Sequence, residues 1–215
     1  MNRTQIISLV LARLGRQEAN TYLIAQAELE LTLIQETLEA GAFLPWFLLS
    51  DETTLNFTAN NRSVSLSSGF LREFEDFPVY LYDAADDDPY TKLEKDEFDY
   101  LEARYGDAGT GTPHSYSLQG DQLQLFLTPD ANGTLRYKCF EREAELTDSV
   151  LTNAWTVNAP DLLVAEIGTV MAGYMKDAER LQMFIAQRGV AMQRLIAFDE
   201  ARKQALRDAQ RGDRS

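Results

Sequence analysis

Cysteine and histidine are almost absent from this sequence of 215 residues, which contains only Cys139 and His114. A single cysteine cannot form an internal disulfide, and this low cysteine content fits a reducing compartment. A single histidine excludes metal sites built on two histidines and leaves one candidate base for a serine–histidine–acid triad. We interpret His114 as the start of a surface strand and Cys139 as a small buried hydrophobic residue. The sequence therefore predicts no catalytic residue, no cofactor and no metal site.

Long apolar runs and basic residues are also scarce. No stretch approaches the ~20 apolar residues that a membrane-crossing helix needs, so no membrane partner is expected. The N-terminal apolar residues follow helical spacing and lack the cleavage site of a signal peptide. The 34 acidic residues outnumber the 20 basic ones, which gives a formal net charge of −14. This charge disfavours binding of free nucleic acid over the whole surface, which needs cations that displace counterions, but it is compatible with an acidic wall that repels DNA.

Hydrophobic residues make up 45% of the chain, enough for a substantial core, and their spacing predicts helices at both ends. The predicted helices cover residues 4–14, 20–40, 160–174 and 177–210. Pro160 suits a first helical turn, and Lys176-Asp177 marks a break. Gly41 ends the second helix, and an aromatic hinge follows at Phe43–Phe47, where Pro45 is incompatible with a continuing helix. The stripe expected to be buried in the third helix is Leu163, Ile167, Val170, Met171 and Tyr174.

Alternating hydrophobic and polar residues predict short strands in the middle of the chain. Residues 111–137 are the clearest case, because turn residues at Gly120-Asp121 and at 129–133 separate three strands that we expect to form one compact antiparallel sheet. The predicted strands cover residues 53–57, 63–66, 79–82, 114–118, 122–128 and 134–140. A short helix is expected over residues 93–105, and residues 147–158 are expected to form a linker.

These elements predict an α+β fold, in which N- and C-terminal helices form a bundle with an inserted small antiparallel β domain. The expected boundaries are residues 1–48 for the N-terminal helices, 49–150 for the β domain with an acidic loop, and 151–215 for the C-terminal helices. A final helix of about 33 residues is about 50 Å long at ~1.5 Å per residue, whereas a compact body of this size is roughly 45 Å across. We therefore expect the terminal helix to protrude and its polar end to have no partner within the chain.

The acidic stretch of residues 83–99 invites a calcium-binding interpretation. An EF-hand loop that starts at Asp83 would need a ligand at Ala85 and a glycine at Asp88, and the sequence provides neither. We interpret the stretch as a solvated acidic loop, with weak cation binding as the alternative. The C-terminal residues are locally basic, which fits either a solvated helix end or a docking tail for an acidic partner.

Several segments that together cover most of the chain resemble the head–tail adaptor (connector) proteins of tailed bacteriophages. The segments are ISLVLARLG, FLPWF, VSLSSGFLRE, GTPHSYSLQGDQLQLFLTPDANGTLRYKCF, NAPDLLVAEIGTVMAGYMKD and AERLQMFIAQRGVAMQRLIAFDEARKQ. The resemblance implies a non-enzymatic structural virion protein that forms a ring, usually a dodecamer, beneath the portal at the head–tail junction. Such a ring is present in the host cytoplasm during assembly. It extends the DNA channel, lets double-stranded DNA pass without specific binding during genome ejection, and provides the platform for a tail or nozzle protein.

The resemblance also implies that the C-terminal helix contacts the portal. The candidate portal-docking residues are Phe198, Arg202, Lys203, Leu206, Arg207 and Arg211. Carboxylates of the acidic region are expected to face either the channel or the outer rim of the ring. The candidates are Asp83, Asp86, Asp87, Asp88, Glu94, Asp96 and Glu97.

Two other functions stay open on the sequence alone. The excess of acids and the aromatic hinge are compatible with a cytosolic enzyme or ligand-binding protein that has a pocket between sheet and helices. A tail completion or terminator protein, which also forms rings, is the third possibility.

Overall fold

The computed structural model describes residues 1–16, 20–82, 90–106 and 109–212, and for Tyr90 and residues 206–212 it describes the backbone. The helices are α1 (Arg3–Arg13), α2 (Thr21–Glu39), α3 (Phe98–Tyr105), α4 (Ala154–Asn158), α5 (Pro160–Tyr174) and α6 (Ala178–Gly212), with a 3-10 turn at Trp46–Leu48. The strands are β1 (Thr53–Phe57), β2 (Ser63–Ser65), β3 (Phe70–Glu73), β4 (Tyr80–Tyr82), β5 (Tyr90–Lys92), β6 (Glu94–Lys95), β7 (Thr110–Gly111), β8 (Ser115–Gln119), β9 (Gln122–Phe126), β10 (Thr128–Pro129), β11 (Gly133–Tyr137) and β12 (Cys139–Glu141). Helices and small sheets occur together in the described residues, which confirms the predicted α+β class.

The chain divides into two compact units. The helical unit consists of Met1–Leu48 and Glu143–Ser215, and the β unit consists of Leu49–Arg142. The helical unit is therefore discontinuous in sequence, because the chain leaves it before β1 and returns to it after β12. The domain boundaries expected at residues 48 and 150 stay a prediction.

Local capping residues start the two N-terminal helices. The Asn2 side chain accepts the Gln5 N–H at 2.8 Å, and the Gln5 side chain accepts the Asn2 N–H at 3.0 Å, which is a capping box. At the start of α2, the Asn20 side chain accepts the Leu23 N–H at 3.2 Å. These caps satisfy amide groups that a helix start leaves without partners, and so the predicted starts agree with the structure to within one residue.

Helix α5 is the centre of the helical unit and packs against α1, α2 and α6. Apolar and small residues all round its first turns are buried, as expected for a helix enclosed by neighbours. The buried residues are Leu162, Leu163, Val164, Ala165, Ile167, Gly168, Met171 and Ala172. Val170 and Tyr174 are exposed, so the expectation that they are buried is wrong. The neighbouring helices cover this face at Leu163 and leave it open at the end of α5.

Gly168 allows α5 and α6 to approach closely. A Cβ atom at this position would lie 2.3 Å from the Phe184 ring, which is fully buried at the contact between the two helices. A separation under 3 Å would force the ring or a helix to move. The glycine is therefore a packing requirement of this helix pair.

The break predicted at Lys176-Asp177 is confirmed. Lys176 has a φ of 55°, the left-handed conformation that commonly ends a helix, and α6 starts two residues later. The Asp177 carboxylate accepts the Arg180 backbone N–H at 3.1 Å, and this bond lowers the pKa of Asp177.

Among the helices in the described parts of the chain, including the 35 residues of α6, none combines the length and apolar character needed to cross a bilayer.

In the described residues of the β unit, the strands form two four-stranded sheets and two strand pairs. One sheet has the order β1-β11-β4-β5 and the other the order β2-β9-β8-β6, while β3 pairs with β12 and β7 with β10. Strands β8 and β9 form the predicted hairpin, with Ser115 opposite Phe126 and Gln119 opposite Gln122. The expectation of a single sheet for residues 111–137 is wrong, because β11 lies between β1 and β4 of the other sheet. Leu125 and Leu135 still meet in one hydrophobic core.

Other local predictions also need correction. The helix expected over residues 93–105 starts at Phe98, because Glu94–Lys95 pairs with β8 as strand β6. The strand expected over residues 134–140 is interrupted between Tyr137 and Cys139. The expected linker contains α4, which starts because the Asn153 side chain accepts the Thr156 N–H at 3.1 Å.

Candidate docking surfaces

The end of α6 is where most of the predicted portal-docking residues lie. Phe198 is 71% exposed, the highest value among the exposed large hydrophobic residues of the described chain. Leu195, three residues earlier, and Asp199, the next residue, are both buried, so Phe198 lies at the edge of the face through which α6 packs on its own unit. A large aromatic ring in this setting is available to a partner protein.

Asp199 anchors this end of α6 to the helical unit. Its side chain is almost fully buried, with 1% of the residue exposed. The carboxylate accepts the Trp46 backbone N–H at 2.7 Å and forms an ion pair with the Lys203 ammonium at 2.7 Å. The bond to Trp46 satisfies an amide at the start of the 3-10 turn, where no bond within the turn is available.

Arg202 adds a second contact with the same turn. Its guanidinium carbon lies 3.8 Å from the centre of the Trp46 ring, within the range of a cation–π interaction. The expectation that the polar end of the helix has no partner within the chain is therefore wrong at Asp199, Arg202 and Lys203. The spacing of Asp199 and Lys203 is that of an i, i+4 ion pair, so the sequence contains a signal for the bond between these two side chains. It contains no signal that Trp46 lies beside them.

The remaining portal-docking candidates lie on the last turns of the same helix. Leu206, Arg207 and Arg211 belong to the part of α6 that is described by its backbone, and this backbone stays helical to Gly212. The structure thus brings all six candidates onto one helix beyond Leu195. Their role in docking stays a prediction.

The acidic candidates fall into two groups. Asp83, Asp86, Asp87 and Asp88 lie outside the described residues. Glu94, Asp96 and Glu97 are exposed, on β6 and in the segment that leads into α3. Their exposure makes them available to face solvent in a channel or at a rim, and the choice between these two sites stays open.

A buried carboxylate lies next to this acidic surface. Glu73 accepts a short hydrogen bond from the Tyr116 hydroxyl and pairs with the Lys95 ammonium at 2.5 Å. Burial, together with the hydrogen bond to Glu73, raises the pKa of Tyr116 far above its ordinary value. Tyr116 therefore stays protonated as a hydrogen-bond donor. An open cavity of about 580 Å³ lies beside it, and its lining includes Glu73, Glu94 and Lys95. The cavity is thus part of a charged surface.

The two residues weighed for catalysis, Cys139 and His114, both lie in the β unit. Cys139 is buried, and burial raises the pKa of its thiol, so the reactive thiolate is disfavoured. His114 is exposed and lies just before β8, where its Nδ1 is 2.7 Å from the Ser115 hydroxyl and its ring packs edge-on against Tyr105. Within the described residues, no three acidic, cysteine or histidine side chains come together in a way that could hold a metal ion.

Comparison with known proteins identifies the family of the chain. No curated protein matches the chain. A family model described as SU10 adaptor protein matches residues 1–215, the whole of the sequence. The chain therefore belongs to the SU10 adaptor protein family, which places it among the structural, non-enzymatic adaptor proteins of phage particles.

Proposed function

We propose that this protein is a head–tail adaptor whose subunits form a ring beneath the portal of a tailed phage and dock to the portal through the end of α6. The observation that carries this proposal is the combination of an exposed Phe198 with the buried Asp199 next to it. The buried carboxylate holds the helix in place, so that the aromatic ring is presented to a partner at a small entropic cost.

The helix beyond this anchor extends the proposed docking surface. It continues from Lys203 to Gly212 and includes Leu206, Arg207 and Arg211. At ~1.5 Å per residue this extension is about 13 Å long, enough to reach into a groove of another protein. Helix-in-groove binding of this kind uses apolar side chains as anchors and flanking cations for orientation.

The charge of the chain supports the proposed relation to DNA. With 34 acidic and 20 basic residues, the protein repels phosphate over most of its surface. In the proposed ring, double-stranded DNA passes through without specific binding, because few cations are available to hold its backbone. Glu94, Asp96 and Glu97 face either the channel or the outer rim, and the opposite end of the ring provides the platform for the tail.

Truncation after Lys203 tests the docking role. This truncation keeps Asp199, Arg202 and their contacts with Trp46, so we expect a folded subunit that no longer joins portal-containing heads. The binding of purified protein to portal assemblies, followed by negative-stain microscopy, measures the loss. Truncated protein that still joins the portal normally would refute docking through the helix end.

A pair of substitutions provides the matched control. Phe198→Asp should weaken portal binding by about ten-fold or more, the scale of an interface anchor. Val157→Asp replaces another strongly exposed apolar residue, on α4 of the same unit, and should leave portal binding unchanged. Equal effects of the two substitutions would indicate a general loss of solubility and not a docking site.

A further inference from the structure

Helix α2 presents an apolar stripe to solvent on the helical unit. Tyr22, Leu29 and Leu33 follow one another at steps of seven and four residues, so they share one side of the helix, and they are 60%, 54% and 46% exposed. Glu36 lies on the same stripe and is also exposed. We call these four residues the α2 face. Contiguous exposed apolar surface of this kind marks a contact with another protein.

The end of α5 enlarges this apolar surface. The Tyr22 hydroxyl lies 2.9 Å from the Tyr174 hydroxyl, which joins the first turn of α2 to the last turn of α5. Val170, one turn before Tyr174 and on the same side of α5, is exposed as well. Together with the α2 face, Tyr174 and Val170 of α5 therefore form a surface that is large enough to bury several side chains.

Helix α6 carries a second exposed face, which contains a groove. Ala186, Val190 and Ala191 line an open cavity of about 360 Å³, and Val190 is 48% exposed. Arg13 and Arg194 border the cavity together with Asp161, and the Arg13 guanidinium is held by a hydrogen bond of 2.9 Å to Gln187. We call this cavity the α6 groove. It has an apolar floor and a net positive border.

The charges of the two faces are complementary. The α2 face carries the exposed carboxylate of Glu36 and no basic residue, whereas the α6 groove is bordered by the two cations Arg13 and Arg194 and the single anion Asp161. Two α2 faces placed against each other would bring carboxylates together, and two α6 grooves would bring guanidinium groups together. Like charges in contact across an interface disfavour binding. The pairing of an α2 face with an α6 groove avoids both costs.

We propose that the α2 face of one copy docks in the α6 groove of the next copy around the ring. This inference rests on the proposed function, because a ring is built from heterologous contacts in which two different faces of each subunit meet. In the docked pair, Leu29 and Leu33 cover Val190, and Glu36 faces the cations of the groove. Each subunit contributes both faces, so the contact repeats from copy to copy.

Two single substitutions test the pairing on the full chain. Leu33→Asp damages only the α2 face, and Val190→Asp damages only the α6 groove. Both residues are exposed within the subunit, so circular dichroism should show wild-type helix content and a similar melting temperature. We expect each variant to lose about ten-fold or more in self-association, measured by sedimentation velocity of the purified chain alone and together with portal assemblies.

Mixing the two variants gives the decisive result. An equimolar mixture of Leu33→Asp and Val190→Asp contains one intact groove and one intact α2 face, so it should form a heterodimer and no larger species. Phe198→Asp, on the same helix as Val190 but outside the groove, should keep wild-type self-association. A mixture that stays monomeric, or a Val190→Asp variant that associates like wild type, would overturn the pairing.

The outcomes also separate this inference from the proposed function. Rings that form beneath the portal with both damaged faces would refute the pairing and leave portal docking in place. A wild-type chain that forms no ring, alone or with the portal, would refute both. Charge reversal gives a further check, because Glu36→Arg and Arg194→Glu should each weaken association and should restore part of it when combined.

Discussion

The two units of this protein each bury a glutamate, and they use it differently. In the helical unit, Glu39 accepts hydrogen bonds from the indole N–H of Trp155 at 2.9 Å and from the Gln35 amide at 3.1 Å. In the β unit, Glu73 accepts from the Tyr116 hydroxyl and pairs with Lys95 at 2.5 Å. The Lys95 side chain is half exposed, so the ammonium group that pairs with Glu73 also contacts solvent.

The difference follows from the connectivity of the units. Glu39 and Trp155 are 116 residues apart, and the whole β unit lies between them in sequence. The Glu143 backbone N–H, at the point where the chain returns to the helical unit, also lies 3.3 Å from the Glu39 carboxylate. One buried carboxylate therefore joins the two halves of a discontinuous unit. Glu73 joins β3 to β6 and β8 within the continuous β unit.

The composition of the chain allows the two units to be followed separately. Both tryptophans, Trp46 and Trp155, lie in the helical unit, and the single cysteine, Cys139, is buried in the β unit. Tryptophan fluorescence during urea unfolding therefore reports on the helical unit, and labelling of the Cys139 thiol reports on the β unit. Coincident transitions would mean that the two units unfold together.

The largest effect is expected from Glu39→Ala. The substitution leaves the indole N–H of Trp155 and the amide of Gln35 buried without this acceptor, which costs about 2–4 kcal/mol of unfolding free energy. Tryptophan fluorescence in urea measures the loss. Glu36→Ala, on the exposed side of the same helix, is the control and should change stability by less than about 0.5 kcal/mol. Similar losses for both variants would show that the carboxylate does not join the halves of the unit.

A somewhat smaller effect is expected from Gly168→Ala. The added methyl group would overlap the Phe184 ring, and overpacking of this kind costs about 1–3 kcal/mol. Gly189→Ala on α6 is the matched control, since a Cβ atom there meets no other atom within 4 Å. We expect the control to stabilise the helical unit by about 0.5–1 kcal/mol, because alanine favours helix interiors over glycine. Thermal unfolding of both variants tests this opposite sign.

Tyr116→Phe should affect the β unit by about 1 kcal/mol at neutral pH, through loss of the hydrogen bond to Glu73. Because the pKa of Tyr116 is raised in the folded state, its contribution is fully present below its ordinary value of 10.0 and is lost as the pH rises above that value. The variant should therefore lose stability less steeply than wild type at alkaline pH, as measured by Cys139 labelling in urea. Burial also raises the pKa of Tyr137, so part of the slope should remain. Identical alkaline slopes would contradict the assignment.

The smallest effect is expected from Arg202→Gln at the end of α6. Loss of the cation–π contact with Trp46 should cost about 0.5–1 kcal/mol and shift the fluorescence of the helical unit. Arg194→Gln, an exposed cation outside this contact, should leave both stability and fluorescence near wild type. A fluorescence shift in Arg194→Gln alone would mean that Trp46 senses a different part of the helix.

Local signals explain which parts of the fold could be predicted. Asn2, Asn20 and Pro160 mark helix starts because capping involves residues only a few positions away. The break at Lys176-Asp177 is likewise predicted from residues that are adjacent in the sequence. The hairpin of β8 and β9 was predicted for the same reason, since its two strands are joined by the turn at Gly120-Asp121.

Parts of the candidate docking surfaces were also predicted from the sequence. Phe198 is one of the portal-docking candidates that the family resemblance implies, and the structure shows that its side chain is exposed. The anchor at Asp199 was not predicted, because its partner Trp46 is 153 residues away. Portal docking and the orientation of the acidic residues stay predictions.

The sequence by itself determined the α+β class, the charge of −14, the starts of the main helices and the family resemblance. All of these depend on composition or on residues close together in the chain. Only the tertiary structure decided that β11 joins β1 and β4, that Val170 and Tyr174 are exposed, and that Asp199 is buried. These features depend on which distant segments meet, and several pairings satisfy the same alternation of polar and apolar residues equally well.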